Sequence, residues 1–318
     1  MRSALTLWLL LVLATSGAAQ RRSADPDSVR IVTSDIDNFW RAYDRLARHS
    51  THEDSVRALA EQYFKPASPG LSEFIRLRIG NPDSLVGALG TLPRYYAAIR
   101  PNTLRIHQMT PIIRDGLHRF QALYPEAAFP DVYFLIGRFS SMGTLSDSGL
   151  YIGAEMVSTD SSTPTDELPG WARGVTLRSE VIPCIVVHEL VHYQQDNARS
   201  RTLLASVLNE GVADFLGDLA VGCQATGSVV YGYGDQHERQ LWLEFQQAKH
   251  GTDYSRWLHN GLTSTDRPAN LGYWMGYQIA KAYYDRATDK RQAVYELLHI
   301  RDYDALLEAS GYAKRMER

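Results

Sequence analysis

The residues with the most definite chemistry lie in the stretch V-V-H-E-L-V-H-Y-Q-Q, residues 186–195. His188 and His192 are four positions apart, so in a helix both imidazoles lie on one face. Two neutral nitrogen donors suit Zn²⁺, and the carboxylate of Glu189 beside them can polarise a zinc-bound water. The alternative is a buried amphipathic helix that carries two histidines by chance. The apolar flanking residues disfavour it, because these polar groups are costly to bury without partners.

A catalytic zinc site needs a third protein ligand, and the segment 203–217 offers one. Its pattern predicts a helix with Thr202 as the N-cap. The polar stretch 196–201 allows a tight reversal, so the two helices should pack antiparallel. Glu210 is expected to face inward among apolar positions, where an unpaired carboxylate requires a cation. The predicted zinc ligands are therefore His188, His192 and Glu210.

Asp214 lies one turn after Glu210 on the same helix face. In an antiparallel pair Asp214 should lie near His188, where it would accept the imidazole N–H that zinc does not use. The alternative is a solvated acid on a polar helix edge. The same register brings Cys223 towards Cys184, and two cysteines in an exported protein permit one disulfide. Two small buried thiols are the alternative.

A resemblance to known metallopeptidases is carried by H-E-x-x-H followed by N-E-x-x-x-D, a pattern similar to the thermolysin-like gluzincins. In this chain the pattern consists of His188, Glu189, His192, Asn209, Glu210 and Asp214. Longer stretches resemble an uncharacterised family of predicted secreted Zn-dependent proteases related to gliding-motility envelope lipoproteins. These stretches are F-P-D-V-Y-F-L-I-G-R, G-L-Y-I-G-A-E-M, H-E-L-V-H-Y-Q-Q, G-Y-W-M-G-Y-Q-I-A-K-A-Y-Y and L-L-E-A-S-G-Y. The resemblance implies a zincin-like metallopeptidase fold but supplies no substrate.

Helices and strands must hold these residues in place. The pattern of the sequence predicts an α+β, mostly helical fold with a small β-sheet and a C-terminal helical lobe. The expected regions are a signal peptide (1–19), a helical N-terminal region (20–128), a strand-bearing catalytic lobe with both ligand helices (129–222) and a C-terminal helical lobe (223–318).

Two runs rich in β-branched and aromatic residues, 131–138 and 150–156, predict strands, and the Gly/Ser segment 139–149 between them predicts a loop. In thermolysin-like enzymes an edge strand pairs with an extended substrate, and the resemblance assigns this role to residues 150–156. Glu155 either faces the cleft to recognise a substrate amine or is a solvated strand acid. We favour the solvated acid.

The first 19 residues have the features of a cleaved Sec-type signal peptide, with Arg2, an apolar run from Ala4 to Ala14, and small residues before Gln20. An uncleaved anchor is the alternative, but the apolar run is too short for a stable membrane span. No cysteine ends the leader, so we expect a chain that is not a lipoprotein.

No later segment is predicted to span a membrane, so we expect a secreted or periplasmic protein. The net charge of −3, without basic stretches interleaved with aromatics, gives no support to nucleic-acid binding. The oligomeric state does not follow from the sequence.

Together these features predict an exported zinc metallopeptidase that acts on a peptide or protein, with Glu189 as the general base for a zinc-activated water. In gluzincins a Tyr or His of the C-terminal lobe stabilises the oxyanion. The three candidates are Tyr273, Tyr277 and His237. We favour Tyr273, since nearby glycines permit close approach to the zinc. The alternative is that Tyr273 only packs between helices.

Two other functions compete with the peptidase. The first is a non-catalytic envelope assembly or binding protein that retains the fold, and the second is a zinc amidohydrolase acting on a non-peptide substrate such as cell-wall material. The intact Glu189 favours catalysis, because a purely structural site has no use for a general base.

Overall fold

The computed structural model describes residues 23–46 and 51–317. The predicted leader, residues 1–19, lies outside the described residues. Within the described ranges the chain is mostly helical with a small four-stranded mixed sheet, which confirms the predicted α+β class. None of the helices in this part of the chain combines the length and apolar character needed to cross a bilayer.

Short helices fill the N-terminal part of the chain, and several begin at a capping residue. Ser68 and Asn81 each accept a hydrogen bond from a backbone N–H of the first turn, and a proline follows each of them at the first helical position. The helices of this part are α1 (Ser34–Leu46), α2 (His52–Leu59), α3 (Pro69–Phe74), α4 (Pro82–Thr91), α5 (Pro93–Leu104) and α6 (Thr110–Leu123).

The strands of the sheet are β1 (Ile31–Val32), β2 (Val132–Leu135), β3 (Gly143–Ser146) and β4 (Gly149–Gly153). Their order is β1-β2-β4-β3, in which β1, β2 and β4 are parallel and β3 runs antiparallel to β4. β2 and β4 are the two predicted strands in shortened form, and both are buried along their whole length.

Two strands were not predicted. β3 lies inside the segment 139–149, which the sequence predicts to be a loop, and β1 lies in the region predicted to be helical throughout. Both are short, and they are recognised as strands by their pairing with β2 and β4. Since β3 occupies the edge of the sheet, the assignment of the edge-strand role to 150–156 is wrong.

Glu155 is fully buried just after β4, so its prediction as a solvated strand acid is also wrong. Its carboxylate accepts hydrogen bonds from the backbone N–H groups of Gly137 (2.8 Å) and Phe139 (3.1 Å). Phe139 has a φ of 61°, which is unusual for a bulky residue. Burial raises the pKa of the Glu155 carboxyl to about 7, although the two N–H donors lower it. Glu155 therefore holds the turn that leads from β2 to β3.

The C-terminal part of the chain is built around two helices that pack antiparallel, α8 (Ile182–Gln194) and α9 (Leu203–Val221). Thr202 accepts a hydrogen bond from the Ala205 N–H as the N-cap of α9, as predicted, and Gly222 ends that helix in the left-handed conformation. The helices are α7 (Gly170–Arg173), α8 (Ile182–Gln194), α9 (Leu203–Val221), α10 (Ser228–Gln236), α11 (Glu238–Ala248), α12 (Leu271–Arg286), α13 (Lys290–Leu298), α14 (Tyr303–Ser310) and α15 (Tyr312–Met316).

Helices α9 and α12 cross with their backbones in contact at Gly211 and Gly276. A Cβ atom at Gly276 would lie 1.9 Å from the carbonyl oxygen of Val207, and one at Gly211 would lie 2.1 Å from the carbonyl carbon of Gly276. Only glycine fits at either position. The crossing brings Tyr273, one turn earlier on α12, towards the two ligand helices.

A single cluster of buried apolar side chains runs through the described part of the chain. It includes residues from α1, the sheet, α8 and the C-terminal helices, for example Phe39, Phe134, Val187 and Leu297. The predicted regions therefore share one core, and the strands, α8, α9 and α12 are held in a fixed relation.

We expect Gly276→Ala to lower the free energy of unfolding by about 1–3 kcal/mol, because the added methyl group must separate α9 from α12. Gly87→Ala in α4 is the matched control. A Cβ there meets nothing within 4 Å, so it should stabilise the protein by up to about 1 kcal/mol. Urea unfolding of both variants measures the difference. Equal stability of Gly276→Ala and the wild type would contradict the crossing.

The buried Glu155 predicts a stability that falls as the pH rises. The pKa of about 7 in the folded protein exceeds the ordinary value of 4.5, so the stabilisation is complete below pH 4.5 and is lost as the pH rises through 7. Between pH 5 and 8 the loss should be about 2 kcal/mol. Glu155→Gln should reduce the pH dependence by this amount and leave the contributions of other groups such as His188, whereas Glu53→Gln, at an exposed site on α2, should leave the pH dependence unchanged. Urea unfolding at each pH measures the slope, and an unchanged slope in Glu155→Gln would refute this assignment.

Candidate metal centre

The antiparallel packing of α8 and α9 creates a ladder of paired side chains. Cys184 and Cys223 form a disulfide at one end, with their Cα atoms 5.8 Å apart. The next pair is His188 with Asp214, and His192 lies opposite Glu210. The structure thus brings together all the residues that the sequence predicts as zinc ligands and their partners.

Three donor atoms converge between the helices. The Nε2 atoms of His188 and His192 are 3.0 Å apart, and they lie 3.5 Å and 3.2 Å from Oε2 of Glu210. Donors bound 2.1 Å from one tetrahedral ion would be about 3.4 Å apart. The spacing therefore matches a site for a small tetrahedral cation such as Zn²⁺.

The partner of His188 decides which ring nitrogen carries its proton. Nδ1 of His188 lies 2.8 Å from Oδ1 of Asp214. The other carboxylate oxygen of Asp214 accepts hydrogen bonds from the hydroxyl groups of Thr226 and Tyr231. Asp214 therefore acts only as an acceptor, and His188 donates through Nδ1, which leaves a lone pair on Nε2.

His192 is oriented by Gln195 in the same way. Its Nδ1 lies 2.8 Å from Oε1 of Gln195, and Nε2 of that amide donates to the carbonyl of Asn209 at 2.8 Å. The bond to Asn209 fixes the orientation of the amide, so His192 also donates through Nδ1. Two Nε2 lone pairs and a carboxylate then face one another, and this arrangement requires a positive charge between them.

The electrostatics agree with a site for a cation. Burial alone would lower the pKa of His188, but its hydrogen bonds to Asp214 and Glu210 outweigh burial and raise the pKa to about 10. Burial raises the pKa of Glu210, yet the two histidines hold it well below its usual range. When no metal is bound, protons on the histidines supply the positive charge between the three groups. A divalent ion supplies the same charge while the imidazoles stay neutral.

Glu189 projects from α8 beside the ligands and packs against β3. A Cβ atom at Gly143 would lie 1.9 Å from Oε1 of Glu189, so the carboxylate rests directly on the strand backbone. Burial raises the pKa of Glu189, while the charges of His192 and His188 lower it. The geometry places an acid next to the metal site, as the sequence predicts; its role as a general base stays a prediction.

Of the three candidates from the C-terminal lobe, Tyr273 is the one beside the site. Its ring lies parallel to the His188 ring, with centroids 6.0 Å apart. The hydroxyl group of Tyr277 instead donates to Asp218 (2.6 Å), and Nδ1 of His237 contacts the carbonyl of Tyr233 (2.9 Å). Gly276 helps to bring Tyr273 here through the helix crossing, whereas Gly272 packs against Leu258 and the Trp257 carbonyl.

A cavity of about 600 Å³ opens beside the three donors. β3 forms one wall, and the turn before α12 forms another. In that turn His259 and Asn270 both have positive φ and are joined by a hydrogen bond from the His259 N–H to Oδ1 of Asn270 (2.9 Å). Main-chain strain of this kind costs free energy and is often found at binding sites.

Sequence reasoning missed several residues of this site. Gln195, Thr226 and Tyr231 orient the histidines or Asp214, and Arg78 lines the cavity from the N-terminal part of the chain. Gln195 alone had a signal, since it lies in the same string as His192. The others are brought in by tertiary packing from loops or helices without a motif.

The comparison with protein families decides the chain's family. The model of the family described as gliding motility protein GldB matches residues 32–314. The chain belongs to this family. No curated protein and no solved structure matches it. GldB is an envelope lipoprotein family, which is consistent with a location outside the cytoplasm.

Membership of this family corrects the assignment from the sequence. The resemblance to gluzincins was wrong as a family assignment, and the predicted function as a peptidase is wrong with it, because the match is to a motility lipoprotein family. The family match gives no support to proteolysis or to zinc binding. The expectation that the chain is not a lipoprotein concerns the leader, which lies outside the described residues.

We expect Asp214→Asn to lower the affinity for Zn²⁺ by roughly 10- to 100-fold, because the imidazole of His188 loses its negatively charged partner. Asp218→Asn, one turn further along α9, is the control, since Asp218 contacts Tyr277 and Gln224 and not the histidines. Competition with a chromophoric chelator measures both affinities. Equal affinities of the two variants would argue against the proposed role of Asp214.

Proposed function

We propose that this protein is a non-catalytic component of the cell envelope that takes part in gliding motility by binding a partner. The observation that carries the proposal is the match to the gliding motility protein GldB family over residues 32–314. A motif of metal-binding residues does not by itself establish hydrolysis, because one fold and one site arrangement serve many functions.

We further propose that the two ligand helices and the adjoining sheet form a zincin-like fold that is used for binding. In support, α8 and α9 pack antiparallel, and β3 and β4 both pack against α8. The zinc ion would be held by His188, His192 and Glu210. Bound zinc would stabilise the folded protein by mass action and join the two helices.

The cavity beside the metal centre is the proposed binding site for the partner. It is enclosed by elements from both sides of the metal, and its lining combines apolar side chains with a few polar groups, as ligand sites do. The partner would be a protein of the envelope.

The location proposed for the chain is the periplasm or the exterior, after export by the leader at residues 1–19. Hydrolysis of a non-peptide amide bond, such as one in cell-wall material, stays a prediction of the sequence. Glu189 beside the metal site is the feature that favours it.

The proposal is tested by comparing the wild type with Glu189→Gln in two assays. Peptide libraries and purified cell-wall material are incubated with each zinc-loaded protein, and the products are analysed by mass spectrometry. We expect no cleavage by either protein. In a deletion strain with a gliding defect, Glu189→Gln should restore gliding as well as the wild type does, because no general base is needed.

The control is the double variant His188→Ala/His192→Ala, which should lose zinc and restore gliding poorly. Cleavage by the wild type that is absent in Glu189→Gln would overturn the non-catalytic proposal. Full restoration of gliding by the double variant would instead show that the function does not depend on bound zinc.

A further inference from the structure

Arg78 brings a permanent positive charge to the wall of the cavity. Its Nε donates a hydrogen bond to the hydroxyl group of Thr144 on β3, at 2.9 Å. That hydroxyl group is in turn bonded to Oγ of Ser141, at 2.7 Å. Thr144 is buried, so this chain of hydrogen bonds anchors the guanidinium by one edge to the strand that Glu189 touches.

The terminal nitrogens of Arg78 remain available. Within residues 23–46 and 51–317, no carboxylate oxygen lies within 4.0 Å of its side-chain nitrogens. Arg76, two residues earlier, shows the usual surface arrangement, since its Nε and Nη2 both donate to the carboxylate of Glu73. Arg78 is thus oriented by the protein but not neutralised by a direct ion pair.

We propose that Arg78 makes the cavity selective for a ligand that carries an oxyanion, either a carboxylate or a phosphate. A guanidinium presents parallel N–H donors that match two oxygens of such a group. Apolar residues of the same cavity would contact the body of the ligand. They include Met142, Leu145, Val175 and Leu177. This inference rests on the proposed function, because it takes the cavity as the partner's binding site.

A competing role for Arg78 is to balance the charge of Glu189, whose pKa it lowers. The two roles differ in their consequences. If Arg78 only balanced Glu189, its removal would change the stability of the protein, and the double variant Arg78→Gln/Glu189→Gln would restore it. If Arg78 binds the ligand, its removal weakens anion binding whether or not Glu189 is present.

The test is isothermal titration of the full-length exported protein with inorganic phosphate and, separately, with succinate, at constant ionic strength. Each titration uses zinc-loaded and chelator-treated samples. We expect Arg78→Gln to weaken binding of the preferred anion about tenfold or more, and Arg78→Lys to retain part of the affinity. Arg76→Gln should bind as the wild type does. Stronger binding of phosphate would indicate a phosphorylated ligand, and stronger binding of succinate would indicate a carboxylate.

Equal affinities of the wild type and Arg78→Gln, or no binding of either anion at concentrations up to about 10 mM, would overturn the inference. Zinc titration of the same samples separates this failure from that of the proposed metal site. If the protein binds no zinc but still binds anions in an Arg78-dependent way, only the proposed zinc site is contradicted. Normal zinc binding without an effect of Arg78 would count against the inference alone.

Discussion

The convergence of two imidazoles and a carboxylate between α8 and α9 is the interaction on which the site depends. These groups lie on two mostly buried helices, where polar groups without partners are costly. Asp214 of α9 supplies the partner of His188 from across the antiparallel interface, and Gln195 supplies the partner of His192 from the C-terminal end of α8 itself. The outcome is a set of lone pairs directed at one point, which is the arrangement that a cation stabilises.

Close backbone approach on both sides of this point gives the cavity its shape. On one side Gly143 lets β3 rest on Glu189, and on the other Gly211 and Gly276 let α12 touch α9. Each contact places a side chain at the metal centre, Glu189 in the first case and Tyr273 in the second. The buried carboxylate of Glu155 accepts hydrogen bonds from the segment that leads into β3, and so helps to fix the strand that contacts Glu189.

The metal-binding pattern and the family membership point to different functions, and they answer different questions. The pattern of histidines and acids determines which ion the site can hold. It does not determine whether a bound water is used for hydrolysis, which also requires a substrate oriented in the cavity. Membership of a motility lipoprotein family therefore outweighs the motif for function, while the geometry of the donors remains relevant to metal binding.

The sequence by itself determined the local features, because helical periodicity and capping depend on residues close together in the chain. It predicted the two ligand helices, their antiparallel packing, the N-cap Thr202 and the ligand candidates. Only the tertiary structure decided which strand forms the edge, where Glu155 is buried, and that Arg78, Thr226 and Tyr231 belong to the site. These features depend on contacts between distant segments, and no local pattern encodes them. β1 shows the reason most directly, since Ile31 and Val32 form a strand by pairing with Val132 and Tyr133 of β2, far along the chain.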